Sequence, residues 1–402
     1  MAERIIIVGG GVAAVSAIKS IREINEKAEI YLFGSERFYP YYRLRLTKGL
    51  FDNTVEDKIL LRKIDWYVEN NVNIHMGKAV SSIDTDKKEI TLEDGSKFNF
   101  DKLLLASGSH NFKPPIKGID KTGVYTIRKL DDVEKLNAYI KEKKTILNIG
   151  GGIQGLETAW ILHQNGKEVI IAEAMPRIMP RQLDERASSI LQKAIEKLGI
   201  KLLINKQVKS IEGNDKVEGF TLDSGEYFPC DTVIYSVGVR ANIDFFKNSS
   251  IKTNMGAVVN EYMETSEKGI YAAGDVAEFN GRLGGIWTVA VEQGTVAGYN
   301  IAGKETKYTG VTPSTMLNAF NISLFSIGNV DENNCTNSMI EDKEDDINYK
   351  RLFIKDNKIV GAIVLGDTKK AVAIKSAVEK EKDISQFDLD NMSIDELIDK
   401  IK

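Results

Sequence analysis

Cysteine is nearly absent from this chain. Only Cys230 and Cys335 occur among 402 residues, in unrelated contexts and outside any Cys-x-x-Cys pair. A disulfide framework, a thiol–disulfide centre and an iron–sulfur cluster are therefore not encoded. Both thiols are expected to be small buried hydrophobes. Histidine is almost as scarce. His75, His110 and His163 lack metal-ligand spacing, so no metal site is expected. His163, just before Gly166, reads as a cation in the last turn of a helix. There is no surplus of either charge: 54 basic against 58 acidic residues leave a net −4. That removes the electrostatic case for nucleic-acid or membrane binding. No apolar run has the length of a transmembrane helix. Met1-Ala2-Glu3-Arg4 leads straight into an apolar run, with no room for a signal peptide, so the expected location is the cytoplasm.

What the chain does have is two glycine fingerprints. The first, Gly9-Gly10-Gly11-Val12-Ala13-Ala14, follows Ile5-Ile6-Ile7-Val8; the second, Gly150-Gly151-Gly152-Ile153-Gln154-Gly155, follows Thr145-Ile146-Leu147-Asn148-Ile149. In such a turn the first glycine (Gly9, Gly150) makes the tight exit from the strand. The second (Gly11, Gly152) lets the backbone approach a pyrophosphate. The third small residue (Ala14, Gly155) allows close helix–strand packing, and the helix N-terminus offers free N–H groups. One motif is a weak signal; two in matched contexts predict two dinucleotides, held so that a hydride can pass between them.

The rest of each segment repeats as well. A second strand is expected at Glu29 to Phe33 and at Lys167 to Glu173. Hairpin turns are expected at Asp94-Gly95 and Ser224-Gly225. Each segment closes on an apolar strand and a glycine, Leu103 to Gly108 and Thr232 to Gly238. The expectation is an α/β protein with two tandem Rossmann-like domains joined by the stiff linker Asn111-Phe112-Lys113-Pro114-Pro115. After Gly274-Asp275 a helix is expected from Ile286 to Ala302, ending at Gly303. Beyond residue 310, strands are expected at Ile322 to Ile327, Tyr349 to Ile354 and Ile359 to Val364. Asp331 to Asp346 is expected to be a solvated acidic loop. Helices near Lys369 to Glu381 and Ser393 to Ile401 would complete a small α+β domain.

Glu36, Pro40-Tyr41-Tyr42-Arg43, Leu46, Thr47-Lys48, Ala106-Ser107-Gly108, Arg128, Gly150 to Glu157, Gln182-Leu183-Asp184 and Gly274-Asp275 together resemble the two-dinucleotide flavoprotein reductases of the glutathione-reductase-like fold. The resemblance runs along the whole chain. Within that family the similarity is to the NADH:rubredoxin reductases and to the flavin-binding N-terminal portion of the nitrite reductase large subunit. Leu44 stands where proline is usual. The resemblance implies FAD on the first copy and NADH on the second, with an FAD domain at 1–110 and 240–309, an NADH domain at 111–239 and the α+β domain at 310–402.

It also implies roles. Glu36 would hold the adenosine ribose. Arg43 would lie over the FAD phosphates or flavin edge, unless Arg43 and Arg45 form only a surface basic pair. Val80, Ala106, Gly108 and Gly238 would line the dinucleotides, and Arg128 would reach the flavin. Asp275 would accept from a ribityl hydroxyl, with Val276 near the phosphates. The helix opening near Trp287 would point at the flavin. Lys48, expected to be buried against Glu157, would stand with it beside the reacting flavin atom as the catalytic pair. Glu173, at the end of the second strand of copy two, would accept from the ribose 2′-hydroxyl of NADH and repel a 2′-phosphate, with Arg177 and Arg181 softening that rejection.

The loop carrying Arg43, Leu44 and Arg45 has no cysteine, so the thiol chemistry of the disulfide reductases and of the peroxidase branch is unsupported. A small one-electron carrier protein, rubredoxin first, is the expected acceptor. The alternatives are a flavin subunit of a nitrite reductase-type system, an NADH oxidase and, from another class, a non-catalytic flavin-binding redox-signalling protein. The oligomeric state is open.

Overall fold

The computed structural model describes residues 2–52, 58–343 and 347–401. The chain divides into two compact units. One comprises Met1–Arg45, Asp52–Phe112 and Gly238–Val311; the other Leu46–Phe51, Lys113–Val237 and Thr312–Lys402.

The first unit is built on a five-stranded parallel sheet with the spatial order Ile270–Ala272, Lys102–Leu105, Arg4–Val8, Glu29–Gly34, Val72–Met76. Ile5, Ile6 and Ile7 are wholly buried, as a continuous apolar run must be in a parallel strand covered on both faces. Strand order reverses beside Arg4–Val8, and Gly9 lies at that reversal, where open α/β sheets bind ligands. The antiparallel strands Val80–Asp84, Glu89–Leu92 and Lys97–Asn99 add Ile83, Ile90 and Leu92 to the same core. The glycine-motif helix, Val12–Ile24, packs on the helix Trp287–Ile301. They meet backbone to backbone. A Cβ on Gly294 would lie 2.3 Å from the Ala13 carbonyl oxygen, and one on Gly298 2.5 Å from that of Ala17.

The second unit repeats the plan in the order Lys201–Ile204, Glu168–Glu173, Thr145–Ile149, Thr232–Tyr235, Val124–Tyr125. Four strands match the first sheet position for position. The fifth position is filled from a different place, by a strand that precedes the glycine motif instead of following the closing strand. Both Asp94-Gly95 and Ser224-Gly225 form the expected turns, with their glycines at φ +84° and +89°. The linker stretch differs from expectation at its start, because Ser109–Asn111 is a strand paired with Val239–Ala241. Lys167 caps the carbonyls of Ile140, Lys141 and Lys143 beyond the helix Leu130–Ile140.

Five antiparallel strands form the C-terminal sheet, in the order Ser314–Ala319, Ile322–Gly328, Lys358–Leu365, Tyr349–Lys355, Asn337–Asp342. Helices Ala371–Glu379 and Ile394–Lys400 add to its core, the latter capped by Ser393 and Glu396. The expected acidic loop is corrected here. Asn337–Asp342 is an edge strand against Tyr349–Lys355, burying Met339 while Ile340 stays half-exposed. Glu344, Asp345 and Asp346 lie outside the described residues. This sheet is tied to the loop before the helix Glu185–Lys197. Ser326 donates to the Gln182 carbonyl at 2.6 Å. The Asp184 carboxylate caps the helix through Ala187 N–H and also accepts from Tyr349 Oη at 2.6 Å and Arg351 Nη1 at 3.1 Å. Arg186 pairs with Asp342 through two hydrogen bonds.

Cys230 is buried and burial pushes its thiol up to about 12. Cys335 is not the buried hydrophobe expected; it is half-exposed beside the Asp331 carbonyl oxygen. No helix among the described residues is long and apolar enough to cross a membrane.

Candidate dinucleotide sites

In the first unit Gly9 takes φ +122°, and a Cβ there would lie 2.0 Å from the Ala106 carbonyl oxygen. No other residue fits that turn. Gly11 is the N-cap of Val12–Ile24 with no side-chain cap, and the space a Cβ would fill is open. Ala14 is fully buried at the third position. Glu185–Lys197 and Ile394–Lys400 cap their first N–H groups with Asp184 and Ser393, whereas Ile64–Glu69, Trp287–Ile301 and Ala371–Glu379 also start without a side-chain cap but not from a glycine N-cap. An uncapped helix start facing open space leaves its N–H groups for an anion.

A charged cluster belongs to the same unit. Glu36 Oε1 accepts from Arg43 Nη2 and Oε2 from Tyr41 Oη, both at 2.6 Å, and Arg43 Nη1 donates to Tyr41 Oη at 2.9 Å. Burial pulls the Arg43 guanidinium down, but Tyr41, Glu36 and Asp275 outweigh it, and the group is held above its ordinary range. Arg43 is thus an ion-paired, half-buried residue, unlike the exposed Arg45. Asp275 accepts from Ser109 Oγ at 2.7 Å, and Gly274, at φ +81°, is held by Gln293. In the sequence Tyr41 stands out only within the Pro40-Tyr41-Tyr42-Arg43 run, without a role, and Ser109 does not stand out. Tyr41 is the inward one of the two adjacent tyrosines, 2% exposed against 37% for Tyr42, and no local pattern signals which of the pair turns in. Nothing local signals Ser109, 166 residues from its partner.

Val276 is buried, and Val80 opens its strand half-buried. Ala106 is buried; Gly108 and Gly238 both have positive φ, +68° and +100°. Trp287 is the first residue of its helix and stacks on Tyr42 with ring centroids 5.3 Å apart; Arg45 lies over the Tyr42 ring at 5.5 Å.

The second unit shows the same construction. Gly150 has φ +114°, and a Cβ there would lie 2.5 Å from the Ser236 carbonyl oxygen. Gly152 is an uncapped N-cap facing open space, like Gly11. Gly155 differs from Ala14: a Cβ would lie 2.1 Å from the Gly150 carbonyl oxygen, so alanine is not tolerated. Glu173 Oε2 accepts from Gly151 N–H at 2.6 Å and Oε1 from Met175 N–H at 2.7 Å. Its carboxylate therefore braces the glycine loop, and each oxygen keeps a lone pair for a further donor. Arg177 Nε is buried without a partner. The backbone N–H of Arg128 donates to Asp132 before the helix Leu130–Ile140.

Lys48 and Glu157 also lie in this unit. The turn Thr47–Gly49 packs on the helix Ile153–Gln164, which carries Glu157. Burial raises the Glu157 carboxyl, and the Lys48 charge offsets part of that rise. Lys48 is exposed, contrary to expectation. Its neighbours Leu46, Thr47 and Leu50 take the buried positions, which leaves the lysine the outward one.

Two parallel sheets, each with an uncapped glycine turn after its first strand and an acid at the end of its second strand (Glu173) or two residues past it (Glu36), define a protein built from two dinucleotide-binding folds. The chain belongs to the pyridine nucleotide-disulphide oxidoreductase family, whose model matches residues 3–294. Residues 313–382 match the rubredoxin NAD+ reductase C-terminal domain. The chain is 34% identical to the NADH-rubredoxin oxidoreductase of Clostridium acetobutylicum, over 94% of this chain and 95% of that one. The crystal structure of NADH:rubredoxin oxidoreductase from that organism covers the whole of both chains with a TM-score of 0.82 at 33% identity. It is 36% identical over 96% of its length to nitrite reductase [NAD(P)H] of Bacillus subtilis, but spans only 48% of that protein.

Proposed function

We propose that this chain is an FAD-dependent NADH oxidoreductase that passes electrons to a small one-electron carrier protein of the rubredoxin kind, in the cytoplasm. The observation that carries the reading is the pair of uncapped, open glycine turns, each braced for a dinucleotide. Gly9, Gly11 and the first turn of Val12–Ile24 would hold the FAD pyrophosphate. Glu36, already oriented by Arg43 and Tyr41, would take the adenosine ribose, and Asp275, oriented by Ser109, a ribityl hydroxyl. Val80, Ala106, Gly108, Val276 and Trp287 would complete that site. Gly150, Gly152 and Gly155 would hold NADH, with Glu173 on its ribose diol; Gly238 would line a dinucleotide and Arg128 would reach the flavin.

Bound FAD accepts a hydride and releases its electrons singly. Lys48 would donate a hydrogen bond where negative charge develops, and Glu157 would hold the lysine charged and in place. The short stretch from Arg43 to Lys48 contains no cysteine, which favours a carrier over a disulfide as acceptor. The test is direct. The purified protein should retain one FAD per chain, NADH should bleach it, and rubredoxin should restore the colour through repeated cycles. Protein supplied with FAD that retains none overturns the reading at its first step. Bleaching that no carrier reverses would favour the signalling alternative.

The half-length match to nitrite reductase supports a second reading, a flavin module within a larger nitrite-reducing system. Transfer from the reduced protein to a sirohaem-bearing partner in preference to rubredoxin would select it.

A further inference from the structure

The six residues Leu46–Phe51 lie between two segments of the first unit, yet belong to the second. Leu46, Thr47 and Leu50 are buried, and the turn packs on the helix Ile153–Gln164. The turn closes through Gly49 N–H to Leu46 and Leu50 N–H to Thr47. The chain then leaves through Phe51 in the left-handed region, φ +66°, which a bulky residue rarely adopts. Such a residue persists only where its surroundings hold it. Here its N–H donates to Asn137 Oδ1 at 3.0 Å, from the helix Leu130–Ile140. Its ring lies 5.8 Å from the Lys167 ammonium, which in turn caps carbonyls beyond that same helix.

We propose that Asn137 is a positioning residue for the reaction: by clamping the backbone at Phe51 it locks the 46–51 turn to the nicotinamide-binding unit and so keeps Lys48 in register with Glu157. The inference rests on the catalytic reading of Lys48 and adds to it which element carries the lysine. Lys48 is set by the body that holds Glu157 and the second glycine motif, and not by the segment that precedes it in sequence. An exposed lysine has no packing of its own to fix it, so its position depends on how firmly its turn is held.

The test uses the FAD-loaded protein and stopped-flow reduction by NADH. Asn137→Leu keeps the helix and the approximate size but removes the acceptor; Asn137→Asp keeps an acceptor in the same place. Asn137→Leu should lower the limiting rate about tenfold, since small misplacements of a reacting group cost that much or more. The NADH dissociation constant should change by no more than about twofold, because the effect is confined to the transition state. Asn137→Asp should restore most of the rate. In a Lys48→Met background, Asn137→Leu should cost nothing further, as expected of residues that act through one another. Should Asn137→Leu not fold, Asn137→Ser, too short to reach Phe51, carries the same comparison. If Lys48→Met slows reduction but the Asn137 variant does not, or if the two effects simply add, the positioning role is refuted and the catalytic reading stands. If Lys48→Met alone leaves the rate unchanged, the catalytic reading falls, and the positioning role with it.

Discussion

Replacing Gly298 by alanine sets two effects of opposite sign against each other. In an exposed helix interior, glycine to alanine stabilises by about 0.8–1.0 kcal/mol through backbone propensity. At Gly298 the new Cβ would sit 2.5 Å from the Ala17 carbonyl oxygen, 2.8 Å from Ala17 Cα and 2.9 Å from Ser20 Cβ. A carbon needs about 3.3 Å from a carbonyl oxygen, so the helices Val12–Ile24 and Trp287–Ile301 must part by roughly 0.8 Å. Such overpacking costs about 1–3 kcal/mol. Two of the three nearest atoms are backbone, so no rotamer change on the opposing helix relieves the contact. Subtracting the propensity gain leaves a net destabilisation of about 0–2 kcal/mol, centred on about 1 kcal/mol, or a Tm lower by roughly 2–4 °C for a unit of this size. Thermal and urea unfolding of the purified protein would measure it. An unchanged or higher Tm would mean that propensity prevails, and the helices would then not be in backbone contact.

Glu173→Ala should erode the preference for NADH over NADPH, which in the wild type should approach a hundredfold in kcat/KM, about 2.8 kcal/mol; equal rates with both nucleotides in the wild type would remove Glu173 from specificity. The Glu157 carboxyl is raised by burial, so flavin reduction should fall as pH drops through a value above the ordinary glutamate range, and Glu157→Gln should abolish that limb. The same sign predicts that wild type loses stability relative to Glu157→Gln as pH rises through that value, because the unfolded chain ionises more easily; a stability difference independent of pH would contradict it. Arg45→Glu should raise the apparent KM for rubredoxin and leave flavin reduction by NADH alone, and carrier reduction should weaken with salt. A salt-independent rate that survives the substitution would place carrier docking elsewhere.

What could be read from the sequence was what is local. Gly9 and Gly150 announce their turns because backbone geometry admits no other residue there, and the repeat of strand, turn and helix around them made the duplication visible. Asn337–Asp342 was read as loop because an edge strand turns alternate residues to solvent, and its polar side chains resemble a solvated run. The Ser109–Asp275 contact joins two residues distant in sequence, and no periodicity links them. The resemblance pairs Lys48 with Glu157 and so implies a buried lysine. Its neighbours Leu46 and Leu50 carry the burial instead, and only the packing of their turn on a helix a hundred residues away reveals this. The split of the fifth strand position was invisible for a similar reason: Val124–Tyr125 is too short to show a pattern.

Asp184 satisfies a helix start, a tyrosine hydroxyl and an arginine at once, the last two from the C-terminal sheet. Exchanging that sheet between relatives would leave the carboxylate with its helix cap alone if Tyr349 and Arg351 were lost, and would take the Asp184 acceptor from Tyr349 and Arg351 if Gln182-Leu183-Asp184 were left behind. The piece that can be inherited or grafted as a whole is therefore the sheet together with this three-residue loop. Modularity in this chain is drawn along hydrogen bonds, and it cuts across the boundary that sequence order suggests.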